Sequence, residues 1–175
     1  MERAYRVALI GQGLLYNDAE LRRVLEAAIA KIVCEQDTVE FFVSRENRFD
    51  ALATSAVRMV EASYTLRNSS LCLVLPHSIG KNDFFACYDS ILHCLPAEGD
   101  TDRTVQNNHR TMIEQSDLVI GFMREESGEA YQAISYAKSL GKPVYNLADE
   151  ISDDEEIFSQ ENIDACRRRM QRTLR

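Results

Sequence analysis

Several things are missing from this 175-residue chain, and each absence narrows its function. It lacks an excess of basic residues: 20 Lys and Arg stand against 28 Asp and Glu, a formal net charge of −8. An extended nucleic acid is therefore not an expected partner, because phosphate binding calls for a basic face. A small anion stays possible, since backbone N–H groups bind one without net positive charge. None of the five cysteines, Cys34, Cys72, Cys87, Cys94 and Cys166, forms a CxxC pair, and their number is odd. That pattern reads as reduced cytosolic thiols, not a disulfide framework or a zinc site. His77, His93 and His109 have no short-range ligand spacing, so no metal is expected. No apolar run approaches the ~18 residues that would cross a bilayer, so no membrane partner is expected. The N-terminus, MERAYRVALIG, has only a five-residue apolar run, too short for the core of a signal peptide. No repeat and no low-complexity linker interrupts the chain, and no GxSxG elbow occurs.

What is present alternates between strand and helix. Tyr5 to Ile10, Val39 to Val43, Leu71 to Leu75, Asp117 to Phe122 and Val144 to Leu147 read as five buried strands. Leu21, Val24, Leu25, Ala28, Ile29, Ile32 and Val33 recur at helical spacing, with Asn17 and Glu20 as a cap pair. A second helix starts near Asn47 and Asp50, with Leu52, Ala53, Ala56, Val57 and Val60 on its apolar face. A short helix over Phe84 to Leu95 and a longer one over Thr104 to Gln115 are expected. Gly128 to Leu140 follows, stopped by Gly141 with Pro143 beyond. A last helix is expected from Ser152, acidic to Asp164 and then rich in arginine from Arg167, an order that complements a helix dipole.

Such alternation predicts an α/β, Rossmann-like three-layer sandwich: a mostly parallel sheet of about five strands with helices on both faces. Ligands of these sheets bind outside the strand C-termini at the topological switch point. With strand order 3-2-1-4-5, that crevice lies between the first and fourth strands. Its walls are then the loops after Ile10, Val43 and Phe122.

Each candidate in those loops fits two roles. Gly11-Gln12-Gly13 resembles the opening of a dinucleotide fingerprint, but Tyr16 stands where the third glycine belongs. The turn fits either a phosphate or ribose contact, or a plain strand-to-helix connection. Ser44, Asn47 and Asp50 follow the second strand, where Asp50 suits a ribose hydroxyl or a helix cap. Arg110 suits bidentate phosphate contact, or a surface pair with Glu114. Ser127, Gly128 and Glu129 open a helix whose free N–H groups suit an anion, unless Ser127 caps them and Glu129 answers the dipole. Gly80-Lys81 and Gly141-Lys142 lack the rest of a P-loop. No complete cofactor motif is present.

VEFFVSRENRFDALATSAV, LCLVLPHSIGKNDF, NHRTMIEQSDLVIGF and SGEAYQAISYAKSLGKPVYNL together resemble the SLOG superfamily, and within it the YpsA-like bacterial branch. The resemblance covers about Tyr5 to Ala148. It implies a SLOG-type domain over residues 1–150, a charged C-terminal helix over 151–175, a bacterial cytoplasmic setting, and a pocket for nucleotides or their derivatives. Related members include cytokinin-activating phosphoribohydrolases and DNA-processing proteins, and others are regarded as ligand sensors. The ligand motif is degenerate. Gly11-Gln12-Gly13 stands where the branch often has Gly-His-Arg, Asn108-His109 where it often has Arg-Asn, and Ser127-Gly128 in place of Gly-Gly. The phosphohydrolase signature PGGxGTxxE is absent.

Three functions remain open at this point. One is a nucleotide-binding or sensing protein without catalytic residues. Another is an N-glycosidic-bond enzyme, either a nucleotide hydrolase or a deoxyribosyltransferase. The last is a protein–protein module. A homodimer is compatible with each.

Overall fold

A computed structural model describes residues 3–13, 18–64, 67–76, 86–94 and 101–151, with backbone only for residues 76 and 101–104. Six strands form one parallel sheet: β1 (Tyr5–Gly11), β2 (Val39–Val43), β3 (Ser69–Pro76), β4 (Ser90–Cys94), β5 (Leu118–Phe122) and β6 (Val144–Asn146). Their spatial order is β4-β3-β2-β1-β5-β6. The helices are α1 (Asp18–Glu35), α2 (Arg48–Ser63), α3 (Thr101–Gln115) and α4 (Gly128–Ser139), and a 3-10 turn covers Leu147–Glu150. The sheet runs outward from β1 in both directions, so the switch point lies between β1 and β5, at the expected loops.

Alternation along the strands divides the core. Val7, Leu9, Phe41, Val43, Ile120 and Phe122 face α1 and α2. Ala8, Ile10, Phe42, Val74 and Val119 pack with Met112, Ile113, Ala133 and Ala137 of α3 and α4 on the other face. This is the two-sided burial that a parallel sheet requires.

One expected helix is a strand. Within Phe84 to Leu95, residues Ser90–Cys94 add β4 to the edge of β3, with Cys72 opposite Ser90 and Pro76 opposite Cys94. Asp89 fixes this pairing: its Oδ2 accepts from Leu71 N at 2.7 Å, and its own N–H donates to Leu71 O at 2.9 Å. The sheet thus has six strands in place of about five. Asn17, Gly80-Lys81 and the expected helix from Ser152 lie outside the described residues.

Gly11 ends β1 directly beneath a ring. A Cβ built there would stand 2.4 Å from Phe49 Cγ, far inside contact distance. Phe49 is fully buried and stacks on Phe122, with centroids 6.3 Å apart and planes 7° from parallel. Glycine is needed here for packing inside the protein. Gly11→Ala is expected to cost about 1–3 kcal/mol, the range for overpacking a rigid core. Urea unfolding should register that loss, and pairing the change with Phe49→Leu should recover part of it.

Candidate functional site

Three loops meet at the switch point, and uncharged amides tie them together. Gln12 bridges the loop after β1 to the loop after β5. Its Oε1 accepts from Arg124 N at 2.8 Å, its Nε2 donates to Glu125 O at 3.1 Å, and its backbone N–H donates to Phe122 O at 3.0 Å. Asn47 reaches across from the loop after β2, with Nδ2 donating to Gly11 O at 3.1 Å. Asn146 holds the far side, accepting from Met123 N and donating to Met123 O, each at 3.0 Å.

Between these ties lies an open crevice of about 220 Å3. Gly11, Gln12, Gly13, Asn47, Ser127, Gly128 and Glu129 line it, with Arg124, Glu125 and Ala130. Seven of the ten residues named from sequence therefore meet in one place. Ser44 and Asp50 face an adjoining cavity of about 330 Å3, which shares Asn47 with the crevice. Arg110 borders a small cavity of about 60 Å3 between α3 and α4, which shares Glu129.

The starts of α2 and α4, both described with their caps, differ. The start of α2 is satisfied internally. Asn47 Oδ1 accepts from Phe49 N at 2.8 Å and Asp50 N at 3.3 Å, and Asp50 Oδ2 returns a bond to Asn47 N at 3.3 Å. This is a complete capping box. Asp50 Oδ2 also accepts from Ser44 Oγ at 2.7 Å and Glu46 N at 2.8 Å. The start of α4 has no such cap. Ser127 occupies the N-cap position but makes no side-chain capping bond. Gly128 has φ +80°, a conformation L side chains rarely adopt, and nothing lies within 4 Å of where its Cβ would stand. The α4 terminus therefore opens onto the crevice, while the α2 terminus is closed.

The charges around the crevice are mixed. Arg124 is the one cation among its described lining residues, and its guanidinium lies 5.9 Å from the Phe122 ring centroid. On the α2 side, burial raises the Asp50 carboxyl above its ordinary value, hydrogen bonds from Ser44, Glu46 and Asn47 oppose this, and the Glu129 charge adds to it. Desolvation and the Asp50 charge likewise raise the Glu46 carboxyl, against a hydrogen bond from Asn108. Asp50 Oδ1 is buried with no partner.

Arg110 lies beside the crevice, over an aromatic ring. Its guanidinium lies 5.0 Å from the centroid of the Tyr136 ring, whose hydroxyl donates to Glu114 Oε1 at 2.6 Å. Lys142 is structural: its ammonium donates to Ser116 O at 2.6 Å. Asn108 and His109 are fully or almost fully buried, and Asn108 Oδ1 and both imidazole nitrogens lack partners. Periodicity marks these two residues, because they fall on the α3 stripe with Val105, Met112 and Ile113, where apolar side chains belong. Arg124 and Glu125 carried no sequence signal beyond lying in the loop after β5. Among the described residues, no group of three or more His, Cys, Asp and Glu could hold a metal ion, and no helix is long and apolar enough to cross a membrane. The four described cysteines are free.

No protein-family model matches the chain, and no curated protein matches it. Solved structures do match. The molybdenum cofactor carrier protein of Chlamydomonas reinhardtii aligns at TM-score 0.50 and 12% identity, over 81% of this chain and 75% of that one. The DNA processing protein DprA of Helicobacter pylori aligns at TM-score 0.57 and 12% identity, over 91% and 78%. DprA of Streptococcus pneumoniae aligns at TM-score 0.57 and 13% identity, over 81% of this chain and 49% of its own length. The likeness shows the fold. That fold is a Rossmann-like α/β sandwich.

They also correct an expectation. The structure of H. pylori DprA describes a single-stranded DNA binding mode, so this fold carries nucleic acid there. Net charge sums over the whole surface, whereas a strand is bound by one face. A formal charge of −8 therefore does not exclude nucleic acid as a partner.

His109 sets a pH dependence. Burial lowers its pKa from 6.5 to about 4, so the folded chain keeps it neutral where the unfolded chain takes up a proton. Stability attributable to His109 is full above pH 6.5 and falls as pH drops toward 4, by roughly 3 kcal/mol in all. Glu46 and Asp50, with raised carboxyls, act in the opposite direction. Urea midpoints between pH 7 and 4 should show the loss in the native chain, and His109→Leu should remove most of its slope.

Proposed function

We propose that the chain binds a small phosphorylated ligand of the nucleotide class in the crevice between β1 and β5, as a binding or sensing protein. One observation carries this reading: the N-terminus of α4 is uncapped and open at the switch point, while that of α2 is closed by Asn47 and Asp50. Free N–H groups and a positive dipole end favour a phosphate there. Arg124 supplies the lining's positive side chain. On the α2 side the acceptor-rich group of Glu46 and Asp50 repels a second anion and favours hydroxyl or amino donors, such as a ribose presents. The ligand then lies with its phosphate toward Gly128 and its sugar toward Asp50. A molybdenum cofactor carrier among the fold neighbours supports a carrying or sensing role. The resemblance to the YpsA-like branch supports the same pocket, with Gly11 and Gln12 turned to structural work.

The N-glycosidic reading has one feature in its favour: burial raises the Glu46 and Asp50 carboxyls, the direction that suits a general acid. Against Asp50 as nucleophile, its Oδ2 already accepts three hydrogen bonds.

Thermal melting with nucleoside monophosphates, NAD, ADP-ribose and the unphosphorylated nucleosides tests the proposal. A monophosphate at about 100 times its Kd should raise Tm by roughly 5–10 °C. The matching nucleoside should raise it far less, and Arg124→Glu should weaken binding about tenfold or more. Absence of a shift from every phosphorylated compound defeats the reading. Release of free base from a bound compound would replace it with the enzymatic one.

A further inference from the structure

A phosphate at the start of α4 and a sugar toward Asp50 leave the base of the ligand without a place. A second cavity of about 330 Å3 adjoins the crevice, and Asn47 lines both. Ordinary small-molecule sites begin at about 300 Å3. The described lining includes Ser44 and Arg45 from the loop after β2, Asp50 and Thr54 from α2, and Tyr88 from the segment before β4.

The two oxygens of Asp50 differ. Oδ2 is occupied within the protein, accepting from Ser44 Oγ, Glu46 N and Asn47 N. Oδ1 is buried with no partner, although the residue that carries it lines the cavity. A buried acceptor left unmatched costs free energy that a donor from the cavity recovers. Burial works against the charge on this carboxyl and the three donors to Oδ2 work for it, which leaves Oδ1 to accept.

Arg45 brings the opposite hydrogen-bonding character. Its guanidinium has donors only, and the side chain is exposed at the same cavity. The Arg45 charge acts on the hydroxyl of the half-buried Tyr88, so the two side chains flank one space. Tyr88 adds an aromatic ring, against which a planar base stacks.

An acceptor at Asp50 and paired donors at Arg45 discriminate between purines. Guanine carries adjacent donors on one edge, N1–H and the 2-amino group, and adjacent acceptors on another, N7 and O6. A carboxylate matches the first edge and a guanidinium the second, in bidentate fashion. Adenine fails at both, because its N1 is an acceptor and its 6-amino group a donor.

We propose that this second cavity takes the base of the ligand and selects guanine. Asp50 Oδ1 accepts from the N1–H and 2-amino edge, Arg45 donates to N7 and O6, and the ring lies against Tyr88. The assignment rests on the phosphate reading of the crevice and names the nucleotide it would hold.

Titration calorimetry on the full-length chain with GMP, AMP, IMP and 7-deaza-GMP tests it. GMP should bind about tenfold or more tightly than AMP. IMP, which lacks only the 2-amino group, should bind about tenfold more weakly than GMP. Ligands test the Asp50 oxygen because a variant there would also disturb the α2 cap. Loss of the N7 acceptor in 7-deaza-GMP should weaken binding, and Arg45→Leu should bring GMP and 7-deaza-GMP to one affinity. Equal binding of GMP and AMP, or a preference for AMP, overturns the base assignment and leaves the phosphate site standing. A preference for GMP that Arg45→Leu does not reduce also overturns it. Binding of none of the four overturns both readings.

Discussion

The ring of Phe49 occupies the space that a side chain at residue 11 would need, and the upper edge of the sheet is built on that seat. Phe49 belongs to the first turn of α2, Gly11 ends β1 and Phe122 ends β5. One aromatic stack thus brings together the three segments that converge at the switch point. With Phe49 seated, Asn47 stands two residues earlier, where its carbonyl caps α2 and its amide reaches Gly11 O. The capping box closes one helix N-terminus as a by-product of packing. That closure sets the start of α2 apart from the start of α4, which has no side-chain cap.

Most of the architecture was legible in the sequence because its signals are local. Buried strands, the helical stripes of α1 and α2, the Gly141 stop after α4 and the switch point all follow from spacing and end signals within a few residues. The strand β4 was not legible. It depends on Asp89 gripping Leu71, a contact between residues 18 apart that no local period encodes. The expected helix over that segment lost to pairing with a sheet edge that already existed.

The candidate site was legible in location more than in role. Loop positions follow from topology, so seven of the named residues line one crevice. What each does depends on where its atoms point. Gly11 resembled a residue cleared for pyrophosphate, yet its missing side chain makes room for Phe49. Gln12, read as a pocket wall, is largely a brace between loops. Asp50 fitted two roles; one of its oxygens serves the cap through three hydrogen bonds, while the other has no partner. Ser127 has the right type and position for a cap and does not act as one. Asn108 and His109 were visible only as polar residues on an apolar stripe, a conflict whose meaning depends on burial.

Gln12, Asn47 and Asn146 hold the floor of the crevice without a formal charge among them. A brace made of ion pairs would loosen as salt screens it or as a partner titrates. Amide braces titrate nowhere in the physiological range and are little affected by ionic strength. The shape of the recess is therefore held separately from the electrostatics of its rim, where Arg124, Glu125 and Glu129 stand. Evolution can change the sign or strength of attraction at that rim without rebuilding the frame, so closely related chains could share one recess and differ in what they admit.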